Sequence, residues 1–203
     1  MTQSTNPSYM VFIDGTHLDQ RCYHCFDRTA FDLDFENFTL ALTGGIAPVA
    51  THYCTAHYHQ SFDPYRAKCQ RNMLWALGRM GNGIQIHADG HHKQPQRCKC
   101  GAWSKAPLEK GTDVEVACLF LEAAIKRLAD RLILVAGDND YIPALKIARR
   151  TGAPWLAFAH VIDPDPDGPN PATQAKTVSG LRRHCHAEIT LNEAFLAPLW
   201  KQE

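Results

Sequence analysis

The apolar run Leu132-Ile133-Leu134-Val135-Ala136 breaks off at Gly137-Asp138-Asn139-Asp140, and no other feature constrains the fold as tightly. A continuous apolar run, rich in branched side chains and closed by glycine and aspartate, fits a strand buried on both faces. Such strands belong to parallel sheets with helices packed on either side. Tyr9-Met10-Val11-Phe12-Ile13 repeats the pattern near the N-terminus and ends at Asp14-Gly15.

Helical patterns fill the intervals. Phe35, Phe38 and Leu42 have helical spacing before Gly44-Gly45, and Cys69, Met73, Ala76, Leu77 and Met80 form a second stripe. Residues 49–58, 84–87 and 155–159 read as further strands. Val114, Ala117, Cys118, Leu121, Ala124, Ile125 and Leu128 predict a long helix whose stripe packs on the sheet, and Ile142, Leu145 and Ala148 predict another. The expectation is one α/β domain over residues 1–203, with a mostly parallel sheet of five strands covered by helices on both faces. A His/Cys-rich insertion interrupts it at about residues 88–109.

The 203 residues are 45% hydrophobic and 21% charged, enough apolar material for a core without disulfide staples. Net charge is zero, so no overall basic field attracts nucleic acid, and any such partner is held by local patches or through metal. The polar N-terminus has no signal-peptide pattern, and no segment has the ~18 apolar residues needed for a bilayer span. The eight cysteines then point to a reducing cytoplasm. The oligomeric state is open, a homodimer included.

In open α/β sheets the functional crevice lies beyond the carboxyl ends of the strands. Asp14 follows the first strand, and Asp138 and Asp140 follow the fourth. Asp113 begins the long helix that must pack back on the sheet. Four acids at one crevice repel unless cations neutralise them, and Mg²⁺ or Mn²⁺ suits hard oxygen ligands. A cation so held activates water and stabilises charge on a phosphodiester. A plainer reading stands beside this one. Thr112-Asp113-Val114-Glu115 reads as a capping box, and Asp138 or Asn139 as a helix cap.

Three blocks carry a resemblance: Phe12-Ile13-Asp14-Gly15-Thr16-His17-Leu18, Glu109-Lys110-Gly111-Thr112-Asp113-Val114, and Leu134-Val135-Ala136-Gly137-Asp138-Asn139-Asp140-Tyr141-Ile142-Pro143. In order and separation they resemble the NYN domains, a branch of the PIN-like nuclease superfamily, and the tail from Val178 to Leu199 looks like the family's closing helix, strand and helix. The resemblance implies a Rossmann-like, three-layered domain with a central five-stranded sheet of order 3-2-1-4-5, and a metal-dependent ribonuclease. It implies Asp14, Asp113, Asp138 and Asp140 as catalytic metal ligands for Mg²⁺ or Mn²⁺, with RNA as partner and Lys110 contacting a phosphate. The family usually has Asn where this chain has His17, which could position an acid or nucleotide, bind metal, or be a surface residue.

Two alternatives come from other classes. One is a nucleic-acid-binding or regulatory module that keeps the fold without efficient cleavage. The other is a haloacid dehalogenase-like phosphatase, set aside because its nucleophile position holds Phe12 rather than an acid. Cys22-Tyr23-His24-Cys25 and Cys98-Lys99-Cys100 suggest a structural zinc site of Cys22, Cys25, Cys98 and Cys100, with His91 and His92 as substitute ligands. Asp163 to Gly168 imitates a calcium loop but lacks the closing Glu. Basic residues cluster at Lys93, Arg97, Lys99 and Lys105 and again from Lys146 to Arg183. Tyr53, His57, Tyr58, His59 and Trp103 offer stacking faces.

Overall fold

The computed structural model describes residues 6–58, 60–61, 63–80, 83–93, 100, 108–152, 154–162 and 179–201. Its strands are β1 (Tyr9–Asp14), β2 (Ala50–Ala56), β3 (Ile84–Lys93), β4 (Leu108–Lys110), β5 (Arg131–Val135), β6 (Trp155–Val161) and β7 (Ala187–Leu191). The helices are α1 (Gly15–Phe26), α2 (Phe35–Leu42), α3 (Pro64–Arg79), α4 (Thr112–Lys126), α5 (Ile142–Arg150) and α6 (Glu193–Leu196).

The sheet order is β4-β3-β2-β1-β5-β6-β7. The six strands from β3 to β7 run parallel, and β4 pairs antiparallel with β3 at one edge. The predicted order 3-2-1-4-5 corresponds to β3-β2-β1-β5-β6, and it omits β7. That strand is half-buried at the sheet's edge, so it has no continuous apolar run to betray it. The third strand is longer than predicted, because residues 88–93 extend β3, and the last three of them, His91 to Lys93, pair with β4. The predicted insertion therefore begins and ends inside a hairpin.

β1 is buried at every position, and its side chains alternate between two cores. Val11 and Ile13 meet α1, α2 and α3 on one face, while Met10 and Phe12 meet α4 and α5 on the other. This is the alternation an extended chain imposes. Tyr53 of β2 is fully buried against Phe35, and its hydroxyl has no hydrogen-bond partner. It is therefore no stacking face for a base. Nor is Tyr58, which donates to Asp19 and packs on Phe31. A buried hydroxyl without a partner forfeits its hydration for nothing. Tyr53→Phe is expected to raise stability by about 1 kcal/mol, read as a higher midpoint in urea. An unchanged or lower midpoint would mean the hydroxyl is satisfied in solution.

α4 packs on the sheet by a face rotated from the predicted stripe, of which Ala124 is buried and Ala117 and Leu121 are partly buried against the core. Val116, Phe120, Ala123 and Ala124 are buried, while Val114, Ile125 and Leu128 are at least half exposed and Cys118 is exposed. The helix is apolar almost all round, so periodicity offered two stripes. At the C-terminus, Asn192 caps α6 through Phe195 N at 2.9 Å, between buried Leu191 and Leu196. Among the described residues no helix is long and apolar enough to cross a membrane.

Candidate active site

β1 and β5 are hydrogen-bonded neighbours, with Ile13 beside Val135. Asp14 and the Gly137-Asp138 turn therefore leave the sheet side by side. Asp14, Asp113, Asp138, Asp140, His17 and Lys110 all line one pocket at this edge. Thr16, Gln20 and Tyr141 complete it.

Asp14 forms the floor. It is buried and caps α1, its Oδ1 accepting from His17 N at 2.9 Å. The Tyr141 hydroxyl donates to its Oδ2 at 2.6 Å. Burial raises the Asp14 pKa above its ordinary 3.8, the bonds from Tyr141 and His17 oppose this, and the Asp113 and Asp138 carboxylates add to the rise. These surroundings disfavour a negative charge on Asp14, and a cation beside it would relieve that. Burial and the Asp14 charge also push the Tyr141 hydroxyl far up, so it stays a donor.

The other three acids stand at the rim, exposed. Asp138 caps the 3-10 turn Asn139–Tyr141 by accepting from Asp140 N at 3.2 Å. Asp138 thus caps the 3-10 turn that leads into α5 and not α5 itself, whose cap residue is Tyr141 with no side-chain bond. The capping box at α4 does not form. Gly111 is the cap residue, at φ 99°, where a side chain would be strained, and no side chain caps the helix. Thr112 is instead buried with its hydroxyl unpartnered. Asp113 sits in the first turn of α4, where its charge suits the positive helix end, as the plainer reading expected.

His17 is placed by an absence. A Cβ on Gly137 would lie 2.8 Å from His17 Nε2 and 3.6 Å from His160 Cβ, so the imidazole fits only because residue 137 has no side chain. Burial lowers the His17 pKa to about 4, with Arg21 contributing, and the ring is neutral near pH 7. Behind it, His160 bonds Glu188 at 2.9 Å, and Glu188 accepts from Arg182 Nε at 2.6 Å.

Sequence reasoning passed over Tyr141 and Arg21. Tyr141 stands three residues after Asp138, inside a block already singled out. Arg21 lies one helical turn beyond His17 on α1 and carries a buried guanidinium nitrogen with no hydrogen-bond partner. The i, i+4 spacing from His17 was the available signal.

The zinc quartet is not assembled among the described residues. Cys22 is fully buried in the core beneath α1, where burial raises its thiol pKa and so opposes the thiolate a metal needs. Cys25 packs at the border of that core. Cys98 lies outside the described residues, as do Arg97, Lys99, Lys105, His59, Trp103, the Asp163–Gly168 loop and the side chains of His91, His92 and Lys93.

Divalent metal is a different case. Among the described residues no three His, Cys, Asp or Glu side chains stand close enough to hold one ion directly. Mg²⁺, however, keeps several waters and takes only one or two carboxylates from the protein. A pocket with one buried and three exposed carboxylates fits that habit.

The NYN domain family model matches residues 8–190, and the chain belongs to the NYN domain family, whose fold is that of the PIN-like nucleases. The chain is also similar to a crystal structure of a protein of unknown function from Vibrio parahaemolyticus. There the TM-score is 0.63 and the identity 18%, over 97% of this chain and 99% of that one. That likeness speaks for the fold alone. No curated protein matches.

Proposed function

We propose that the protein is a divalent-metal-dependent ribonuclease that hydrolyses RNA phosphodiester bonds at this pocket. The observation that carries the reading is Asp14. It is a buried carboxylate whose neighbours Asp113 and Asp138 raise its pKa further. Structural acids are paired with cations; these are set against one another, as a site for a cation requires.

Asp14 and Asp138 would be the main holders of Mg²⁺ or Mn²⁺, with Asp113 and Asp140 acting at the rim. Bound there, the ion would supply an activated water and stabilise the charge developing on the phosphate. Tyr141 keeps its proton, donates a hydrogen bond to Asp14 Oδ2 and so fixes the carboxyl group's orientation. Lys110, which lines the pocket, would contact a phosphate oxygen of the RNA. Neutral His17 offers a ring nitrogen to a ligand without adding charge.

Turnover of single-stranded RNA by purified protein, restored by Mn²⁺ after chelation, tests the reading. RNA binding without turnover under any divalent ion would favour the binding-module alternative, which the spread of the four carboxylates supports.

The pH dependence follows from Asp14. Its proton is held more tightly in the native state than in the unfolded chain. Its contribution to stability is full below pH 3.8 and is lost as pH rises through the raised native value. A cation that binds the carboxylate offsets that loss. The gain in Tm on adding Mn²⁺ should therefore grow from about pH 4 to about pH 7, and the growth should vanish in Asp14→Asn. A gain that is flat with pH in the parent would contradict this.

A further inference from the structure

We propose that the outer face of α3 is a docking surface for single-stranded RNA, leading the strand to the sheet edge that holds the pocket. The proposal deepens the ribonuclease reading and rests on it. It also answers a difficulty in that reading. The pocket is acidic and the chain has zero net charge, so phosphates must be attracted from elsewhere.

α3 carries four cations and no acid in its 16 residues. Arg66 points inward, pairing with Asp19 at 2.6 Å between the rings of Tyr23 and Tyr58. Lys68, Arg71 and Arg79 remain exposed. At 100° per residue they share one side of the helix with Tyr65 and Trp75, opposite buried Ala67, Met73, Leu74 and Leu77.

The two aromatic residues are the second observation. Tyr65 is 71% exposed and Trp75 66% exposed. Rings of this size left in water are an unmet opportunity for burial. The Arg79 guanidinium lies 4.6 Å from the centre of the Trp75 ring, forming a combined platform for a base. Cations that neutralise phosphates, interleaved with rings that stack on unpaired bases, are what a single strand needs. A duplex offers no free base face to Tyr65 or Trp75. An acidic protein surface would use the cations and leave the rings idle.

The helix is ~24 Å long. It starts after the carboxyl end of β2, the edge where Asp14 lies level with Cys54, and runs back to Arg79 near the start of β3. Tyr65 therefore stands at the pocket end of the track.

The test is anisotropy of a labelled single-stranded RNA of mixed sequence, with EDTA present so that nothing is cut. The proteins are the parent, Trp75→Ala and the double variant Lys68→Glu/Arg71→Glu. Trp75→Ala should weaken binding about tenfold, and the charge reversal should weaken it further and flatten the salt dependence. A duplex of the same sequence should lose much less from Trp75→Ala. Equal affinity of all three proteins for the single strand overturns the proposal, and so does an equal loss for duplex and single strand on removing Trp75. Hydrolysis of bis(p-nitrophenyl) phosphate with Mn²⁺ separates the two claims. It should be unchanged in the α3 variants and lost in Asp138→Asn. If instead the parent binds RNA through α3 but hydrolyses neither ester nor RNA, the ribonuclease reading fails and the surface stands.

Discussion

Asp14→Asn should lose RNA cleavage by on the order of 10³-fold, about 4 kcal/mol of transition-state stabilisation, while the protein stays folded. Asparagine is as good a helix cap as aspartate, so the bond from His17 N survives, and the Tyr141 hydroxyl keeps an acceptor. What disappears is a charge buried beside two others. The metal-free variant should therefore melt no lower than the parent, and by a few degrees higher if the repulsion at the pocket costs about 1 kcal/mol. Loss of activity together with a lower Tm would make Asp14 a structural residue first. Activity kept at the parent rate would remove it from the chemistry altogether.

Gly15→Ala should give the largest loss of stability. A Cβ at that position would stand 2.4 Å from Tyr53 Cζ and 2.6 Å from its hydroxyl. The ring is fully buried against Phe35 and cannot swing away. Overpacking of this kind costs about 3 kcal/mol, and at roughly 2–4 °C per kcal/mol the Tm should fall by about 10 °C. Tyr53→Leu in the same chain should recover part of the loss by opening the space. A Gly15→Ala protein as stable as the parent would show that the start of α1 gives way more easily than the close packing implies. The same turn delivers Asp14 to the pocket, so the variant should also be less active.

The Asp14-Gly15 pair illustrates what was legible in the sequence. A buried strand needs an unbroken apolar run, and such a run fixes where its polar end emerges. Asp14 and Asp138 could therefore be placed at strand ends from the residues alone. Their adjacency followed once β1 and β5 paired, as alternating strands and helices allow. Asp140 after the same strand as Asp138 and Asp113 at the start of the long helix were placed likewise, while His17 and Lys110 came through the family blocks; all four line the same pocket. What stayed hidden depends on contacts between distant segments. The buried face of α4 could not be chosen, because Val116, Phe120 and Ala123 compete with an equally periodic outer stripe. Edge strand β7, half-buried and without a continuous apolar run, was legible only through the resemblance, and its place in the sheet order was not. His17 takes its position from Gly137, which is 120 residues away. The unformed capping box at Thr112 follows from the positive φ of Gly111, which the residue types permit but do not dictate.

The α3 face shows the opposite limit. Its cations and aromatics are plain in the sequence, but only burial separates Arg66, spent on Asp19, from Lys68, Arg71 and Arg79, which are not. Periodicity had marked the inner stripe of this helix and passed over the outer one.

Anomalous diffraction from a crystal soaked in Mn²⁺ tests the central claim most directly. The account predicts a peak in the pocket bounded by Asp14 and Asp138, within reach of their oxygens directly or through one water, and its loss in crystals of Asp138→Asn. A well-ordered crystal of the parent with Mn²⁺ bound only elsewhere, or a pocket peak that survives Asp138→Asn undiminished, would contradict it.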